Sequence, residues 1–573
     1  MSKPTIGDFV VRKATAVPFL TLLILGIVGA TAFAQSPARS LPRQTTIDAA
    51  GGPIVVSPFM HASVQIEHGG RVIQVDPAMG DLSSAKPADL VVVTDIHEDH
   101  LNPSRIARLR KAGAPVVVPD AVRQQAGDAL SAPIDVLANG QTKTVAGFTV
   151  EAVPMYNVEH KMGDVPFHTK GRGNGYVITV GGKRLYFAGD TECVPEIEAL
   201  RNIDVAFLPM NLPFTMSPAD AAESAMAFKP KIAIPYHFQG QDTAIFEAAV
   251  KGSGIEVRML DWYPVISYPD TVAIERPGKL VDVGGRKLHI HCTGSGQPTV
   301  VLEGSGPGFA IDWMLVQPEV AKTTRVCSYD HAGAGWSDPR GQPETVDGVV
   351  ADLHAALQAA GEKPPFVMVG AQLGGIYARS YHLRYPGEVV GFVFVDALHE
   401  DAFVMPVDGK PTPAWRLSPE QFRAAVEAMI PKDGMPPPPM NPSTDPPFDK
   451  LPPNVLTTRV TFELRAIKAV AAVPRDQMVA RFDAEHAAIA KLHAASANQP
   501  LGAAPIVVLT PATVPDPNWN ALQGQIATLS SNASRRSVAT PGGDLHLSAP
   551  AAVVRAVQDV VTAARQGTGV PRY

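Results

Sequence analysis

The stretch Leu90-Val91-Val92-Val93-Thr94-Asp95-Ile96-His97-Glu98-Asp99-His100 decides how the first part of this chain is read. Leu90–Val93 is a short continuous apolar run, the pattern of a strand buried on both faces. Asp95, His97, Asp99 and His100 follow directly, two carboxylates and two imidazoles within six residues. Asn102-Pro103-Ser104 then opens a helix, with Pro103 in the first turn, where its missing N–H costs nothing. Charged groups this dense between a strand and a helix cannot be buried unpaired. Neutral imidazole with carboxylate is a donor set for a divalent ion; zinc is expected, with manganese or iron as alternatives. The bland alternative is an exposed acidic turn with incidental histidines. The flanking strand and helix, and further ligand candidates downstream, weigh against it.

Those candidates are Asp190, at the end of the strand-like KRLYFAGDT, and His237, at the end of KPKIAIPYHF. Strand ends bring ligands that are distant in sequence to one place in a layered sheet. With HASVQIEHGGRVIQVDPA, TDIHEDHLNP, VPMYN, FHTKGRGNGYV, YFAGDTE and PYHF, residues 53–264 resemble the metallo-β-lactamase superfamily, in particular its lactonase-like branch. The resemblance implies a four-layer αββα sandwich with metal at the sheet edges. It implies His97, Asp99, His100, Asp190 and His237 as ligands.

Two residues depart from the family pattern. The HxHxDH run begins here with Asp95, and the next ligand histidine is replaced around Asn157. The half-site of Asp99, His100, Asp190 and His237 is therefore complete, whereas that of Asp95 and His97 is poorer in nitrogen. The second could be empty, could prefer a harder ion, or could recruit His160 or His168. One or two ions are expected. A bound ion lowers the pKa of its water to roughly 7, giving a hydroxide nucleophile. Asp99 is the candidate to orient or deprotonate that water. His168, in the segment HTKGRGNG, is a candidate to touch substrate with Lys170 or Arg172; a solvated loop is the equal alternative.

A second unit begins near Pro277. Strand-like runs at Thr299–Glu303, Arg325–Tyr329, Phe366–Val369, Gly391–Asp396 and Pro505–Thr510 alternate with helical patterns at Val346–Ala360 and Ile376–Tyr385. Such alternation indicates a doubly wound, mostly parallel sheet. The segments VVLEGSGPG, RVCSYDHAGAGWSDP, GAQLGGIYARSYHLRYP, VVGFVFVDALHED and GGDLHLSAPAAVVRAV resemble α/β-hydrolase fold proteins over residues 277–566, with 402–500 expected as a cap. The family's G-x-S-x-G elbow carries Gln372 at its centre, and a carboxamide cannot be activated as a nucleophile. The position of the late histidine matches Gly543, with His546 offset by three. Asp396 remains as a possible acid, while Ser305 and Ser380 lie away from the elbow. A catalytically silent second domain is expected.

The 573 residues are 45% hydrophobic and 18% charged with a net charge of −6, enough for two cores and unlike a nucleic-acid-binding surface. The fold class is thus α/β, an αββα sandwich over 51–265 followed by the doubly wound domain. Lys3, Arg12 and Lys13, the apolar run from Ala14 and the ending Ala32-Phe33-Ala34 read as an export signal over 1–34; a retained membrane anchor is the alternative. A periplasmic or secreted protein without stable membrane association follows. Cys193, Cys292 and Cys327 make no disulfide framework, but a Cys292–Cys327 bridge on neighbouring strands competes with buried free thiols. The function expected is hydrolysis of ester, lactone, amide or phosphoester bonds in a small-molecule substrate. A serine-type esterase with a vestigial metal domain, or a non-enzymatic binding protein, are the alternatives. Oligomeric state is left open.

Overall fold

A computed structural model describes residues 41–572, apart from 81, 83, 163–164, 240, 264–269, 307, 408–409, 430–446, 497–499, 513–516 and 541–543. The export segment expected at 1–34, most of the Pro-rich stretch 431–453, and Gly543 lie outside the described residues. No helix among the described residues is long and apolar enough to cross a membrane.

The first sheet takes its seven strands in chain order: β1 (Thr45–Ile47), β2 (Ile54–Met60), β3 (Ser63–His68), β4 (Arg71–Val75), β5 (Leu90–Val92), β6 (Val116–Val118) and β7 (Ile134–Val136). β1 to β4 pair antiparallel, and β4 to β7 pair parallel. The second sheet contains β8 (Thr142–Val145) and β9 (Phe148–Met155). A hairpin of β10 (Lys161–Met162) and β11 (Val165–Pro166) follows outside it. Then come β12 (Gly173–Val180), β13 (Lys183–Phe187), β14 (Val205–Pro209), β15 (Ile232–Tyr236) and β16 (Glu256–Val257). The order across this sheet is β16-β15-β14-β13-β12-β9-β8. Gly181 and Gly182, at φ +53° and +76°, make the tight β12–β13 turn that their positive dihedrals allow.

Period-two alternation explains why the two sheets stack. In β5, Leu90 and Val92 enter the inter-sheet core, while Val91, and Val93 just after the strand, pack beneath Ile106 and Val122 of outer helices. In β14, Val205 and Phe207 point inward, and Ala206 and Leu208 pack outward against Ala221, Ala225 and Phe228. Strands covered on both faces are apolar throughout, and the result is the four-layer αββα sandwich. The helix after β5 spans Pro103–Leu109, and its Asn102 cap accepts the Arg105 N–H.

The third sheet contains β17 (Lys279–Asp282), β18 (Lys287–Thr293), β19 (Thr299–Glu303), β20 (Val326–Tyr329), β21 (Phe366–Ala371) and β22 (Val389–Val395). After the small hairpin of β23 (Val404–Val407) and β24 (Lys410–Pro413) it gains β25 (Ile506–Pro511) and β26 (Ala533–Val538). Its order is β17-β18-β20-β19-β21-β22-β25-β26, parallel from β20 onward. Helices Val346–Ala360 and Gly374–Arg384 cover one face through Leu353, Leu357, Ala378 and Tyr381. Helix Pro550–Gln566 covers the other through Val553, Val557, Val560 and Val561. This is the doubly wound α/β-hydrolase fold. Within 402–500, helix Arg475–Ser496 sets Ile489 and Leu492 against Leu373, Ile376 and Tyr377 at the elbow.

Cys292 and Cys327 stand directly opposite each other on the antiparallel pair β18–β20, and they are bridged. Cys193 is free. Alkylation under denaturing, non-reducing conditions is therefore expected to label Cys193 alone, with the other two cysteines labelled only after reduction. Peptide mass mapping reads this directly.

His331, after β20, is buried between two carboxylates, with Nε2 2.6 Å from Glu303 Oε1 and Nδ1 3.2 Å from Glu344 Oε2. Burial opposes its charge, but Glu344 and Glu303 outweigh burial and push its pKa from 6.5 to about 10. A raised folded pKa gives stability that is full below about 6.5 and is lost as pH rises toward about 10. The urea-unfolding gap between the wild type and His331→Gln is expected to narrow across that window.

Candidate metal centre

The site forms where the C-terminal ends of β4, β5, β13 and β15 meet. β4 runs into Asp76, β5 into Asp95, β13 into Asp190 and β15 into His237. Three non-glycine residues here, His61, Asp76 and His237, hold left-handed backbone angles of φ +51°, +44° and +47°. Such conformations cost about 1–3 kcal/mol each and persist where packing over-determines them, typically at functional sites.

Two groups of donors share one carboxylate. His97 Nδ1 lies 3.0 Å from Asp95 Oδ2, and His168 Nε2 lies 3.8 Å from the same oxygen. On the other side, His237 Nε2 lies 3.1 Å from Asp99 Oδ2, and His100 Nε2 lies 3.8 Å from Asp99 Oδ1. Asp190 stands between them. Its Oδ2 is 3.2 Å from His168 Nε2 and 3.3 Å from His100 Nε2, and its Oδ1 is 3.4 Å from His237 Nε2. Three sets have ligand atoms within 4.8 Å of one another: Asp95, His97 and His168; His100, Asp190 and His237; and His61, Asp99 and His237. His100 Nε2, His168 Nε2 and Asp190 Oδ1 are buried there without a hydrogen-bond partner. Such atoms are costly unless something else satisfies them. The donor chemistry and these orphaned atoms fit a divalent metal on each side of Asp190.

All six residues expected as ligands from the sequence converge here. His168 joins them in the cluster itself, rather than on a loop facing substrate, and supplies the nitrogen expected near Asn157. The reason lies in Asn157. Its Oδ1 accepts both the backbone N–H and the Nδ1–H of His168, at 2.7 and 2.6 Å, which turns Nε2 toward Asp190. Asn157 in turn donates from Nδ2 to Glu192 Oε1 and the Phe214 carbonyl, both at 2.9 Å. Glu192 also accepts the backbone N–H groups of Val158, Glu159 and His160. His160 pairs with Glu192, at 2.9 Å, and not with the cluster. Lys170 is bound to Glu196 and lies over the Tyr156 ring. Arg172 is bound to Asp95.

Two residues were missed from the sequence. Asp76 Oδ2 accepts from His100 Nδ1 at 2.8 Å and from the Thr94 hydroxyl at 2.6 Å, leaving His100 Nε2 aimed into the cluster. His61 sits at the β2–β3 turn, its ring 4.8 Å from that of His237 and its ligand atom grouped with Asp99 and His237. The signals were there, in Asp76 at a strand end (RVIQVDPA) and in the HAS turn, but each is a lone residue of common type.

Electrostatics bind the cluster together. Burial raises the Asp95 carboxyl, but His97, Arg172 and His168 more than offset this and hold it below the usual range. For Asp190, burial is likewise outweighed, by His100 and His237. Burial lowers His100, yet Asp190, Asp99 and Asp76 raise it well above an ordinary histidine. Burial likewise lowers His237, but Asp190 and Asp99 raise it; an imidazole must be free of its proton to hold an ion. His97 and Asp99 have side chains 29% and 30% exposed, and they form the open mouth of an otherwise buried site.

The elbow around Gln372 is also visible. Gln372 keeps the left-handed backbone of a nucleophile turn, at φ +48°. A Cβ on Gly370 would fall 2.5 Å from the Gly374 carbonyl oxygen, and one on Gly374 would fall 2.4 Å from that of Glu303. Asp396 Oδ1 accepts the Trp519 indole N–H at 2.8 Å, and burial pushes its carboxyl to about 6. His546 packs against Trp313.

Asn157→Ala removes the group that turns His168. It is expected to weaken zinc binding by about 10–100-fold, as loss of an outer-shell partner does, with competition against a chromophoric chelator as the readout.

A family model described as the β-lactamase superfamily domain matches residues 56–237, and one described as the alpha/beta hydrolase fold matches residues 298–426. The chain is similar to a UPF0173 metal-dependent hydrolase of Pelotomaculum thermopropionicum, 31% identical over 220 residues, covering 35% of this chain and 93% of the relative. It is also similar to one of Thermococcus kodakarensis, 32% identical over 219 residues, covering 35% of this chain and 93% of the relative. A crystal structure of a metal-dependent hydrolase from Parabacteroides distasonis is 34% identical and covers 38% of this chain and 98% of its own, with a TM-score of 0.36. With its ligand cluster and these relatives, the N-terminal domain makes the chain a member of the UPF0173 metal-dependent hydrolases of the metallo-β-lactamase superfamily, joined to an α/β-hydrolase fold.

Proposed function

We propose that this hydrolase is exported and cleaves an ester, lactone, amide or phosphoester bond of a small molecule at the centre around Asp190, with zinc as its ion. The observation that carries the reading is the shared carboxylate, with His97 and His168 on one side and His100 and His237 on the other. A divalent ion bound there supplies Lewis acidity and a water acidic enough to react at neutral pH. The residues of the chain do the rest. Asp76 and Asn157 fix the tautomers of His100 and His168. Asp99, at the open mouth, would orient the reacting water through its carboxylate; burial opposes its charge, but His100 and His237 hold the carboxyl ionised. The buried walls exclude other water. The Cys292–Cys327 bridge supports an oxidising compartment, in keeping with the export signal read at 1–34.

The second domain has Gln372 in place of a serine at its elbow, its Asp396 accepts the Trp519 indole N–H, and its His546 ring packs against Trp313. We assign it no hydrolysis of its own. It serves as a structural or ligand-binding partner of the metal domain.

Elemental analysis of the purified protein, paired with a hydrolysis panel of lactones, esters, β-lactams and phosphodiesters, tests this reading. Turnover is expected to vanish with chelator, to return with zinc, and to fall by at least about 10²-fold in His237→Ala, a loss of about 2.7 kcal/mol of transition-state stabilisation. Wild-type protein is expected to resist fluorophosphonate labelling. Metal-free protein in every preparation would overturn the reading.

A further inference from the structure

We infer that Asp95 and Arg172 act as one charge-neutral unit in place of an imidazole ligand. Arg172 thereby holds the Asp95, His97 and His168 half-site at lower affinity for a divalent ion than the half-site of Asp99, His100 and His237. The inference rests on reading the cluster as a metal centre.

Asp95 is fully buried, and both of its oxygens are taken by one guanidinium. Arg172 Nε donates to Oδ1 at 3.1 Å and Nη2 donates to Oδ2 at 2.7 Å. This is the two-pronged geometry in which arginine binds carboxylate most strongly. Arg172 is pinned as well, since Nη1 donates to the Phe167 carbonyl at 3.0 Å. The backbone around it is built to bring it there. Asn174 N–H donates to the Thr94 carbonyl at 2.9 Å, and Asn139 Nδ2 donates to the Gly173 carbonyl at 3.0 Å. A Cβ on Gly173 would fall 2.9 Å from the Thr94 oxygen, so only glycine lets β12 press this closely on the end of β5. Among the described residues, the charged partners of Asp99 and Asp190 are imidazoles.

That difference decides the chemistry. An imidazole ligand is neutral when it binds an ion and adds no charge beside it. A guanidinium cannot be deprotonated, so its positive charge stays beside the incoming ion. Arg172 also competes for the oxygens the ion needs. The Asp95–Arg172 pair has the net charge of a neutral histidine, but it presents a shared carboxylate instead of a free nitrogen. Ions that favour oxygen are preferred there, and the two half-sites fill in sequence.

Zinc titration of chelator-stripped full-length protein against a chromophoric competitor, with elemental analysis at each plateau, tests this. The wild type is expected to bind two ions in separate steps, the second weaker by about 10-fold or more. Arg172→Met, and Arg172→Gln as a variant that keeps a hydrogen-bond donor, are expected to tighten the second step by about 10–100-fold and leave the first unchanged. Asp95→Asn, which keeps the cation without its anion, is expected to weaken the second step further. The unchanged first step shows that each variant is folded. A looser or unaltered second step in both Arg172 variants overturns the inference, because a merely structural arginine can only loosen the site when removed. Two equal steps in the wild type overturn it as well. Wild-type protein that binds no zinc overturns the metal-centre reading, and the inference falls with it.

Discussion

Asp190 places one carboxylate within 3.4 Å of three imidazole nitrogens at the buried junction of two sheets, and much of the N-terminal domain answers to that arrangement. Burying ionised carboxylates is expensive, and unpaired they would neutralise or force the site open. The cost is offset only if positive charge is supplied at the same spot. Protons on His100 and His237 can supply it in the empty site, and a divalent ion can supply it in a loaded one. The need to exchange one for the other ties metal affinity to pH. It also explains why the outer partners are themselves buried. Asp76 and Asn157 hold rings in a single orientation so that each incoming nitrogen faces Asp190.

The sandwich makes such precision possible. Four strand ends bring residues from positions 76 to 237 to one point, and the strands are locked by apolar packing on both faces. Catalytic groups held on rigid strand ends need little further ordering when substrate arrives. The exposed side is formed by His97 and Asp99.

Much of this was legible in the sequence. The strand-end run from Asp95 to His100, the isolated Asp190 and His237, and the alternation of strands and helices in the second half all appear in the fold as read. Local patterns carry such information because apolar periodicity and strand-end ligands are set by neighbours in the chain. Other features depend on contacts that no local pattern encodes. His168 replaces a histidine expected eleven positions earlier, and only the Asn157 hydrogen bonds show how. Arg172 reaches Asp95 across 77 positions because β12 packs on the end of β5. His61 becomes part of the site through a positive φ that its sequence does not announce. The Cys292–Cys327 bridge depended on a strand register that periodicity alone leaves open.

The elbow at Gln372 has a wider implication. A left-handed non-glycine turn of this kind is commonly treated as a mark of an active serine hydrolase. Here Gln372 stands at the apex and the left-handed backbone is kept, pressed into shape by Gly370 and Gly374 against the neighbouring strand and helix. The bend therefore belongs to the architecture of a helix docking on a parallel sheet, and chemistry is a later tenant of it. In chains of this fold, the shape of the turn does not reveal whether the domain is active; the atom at its apex does.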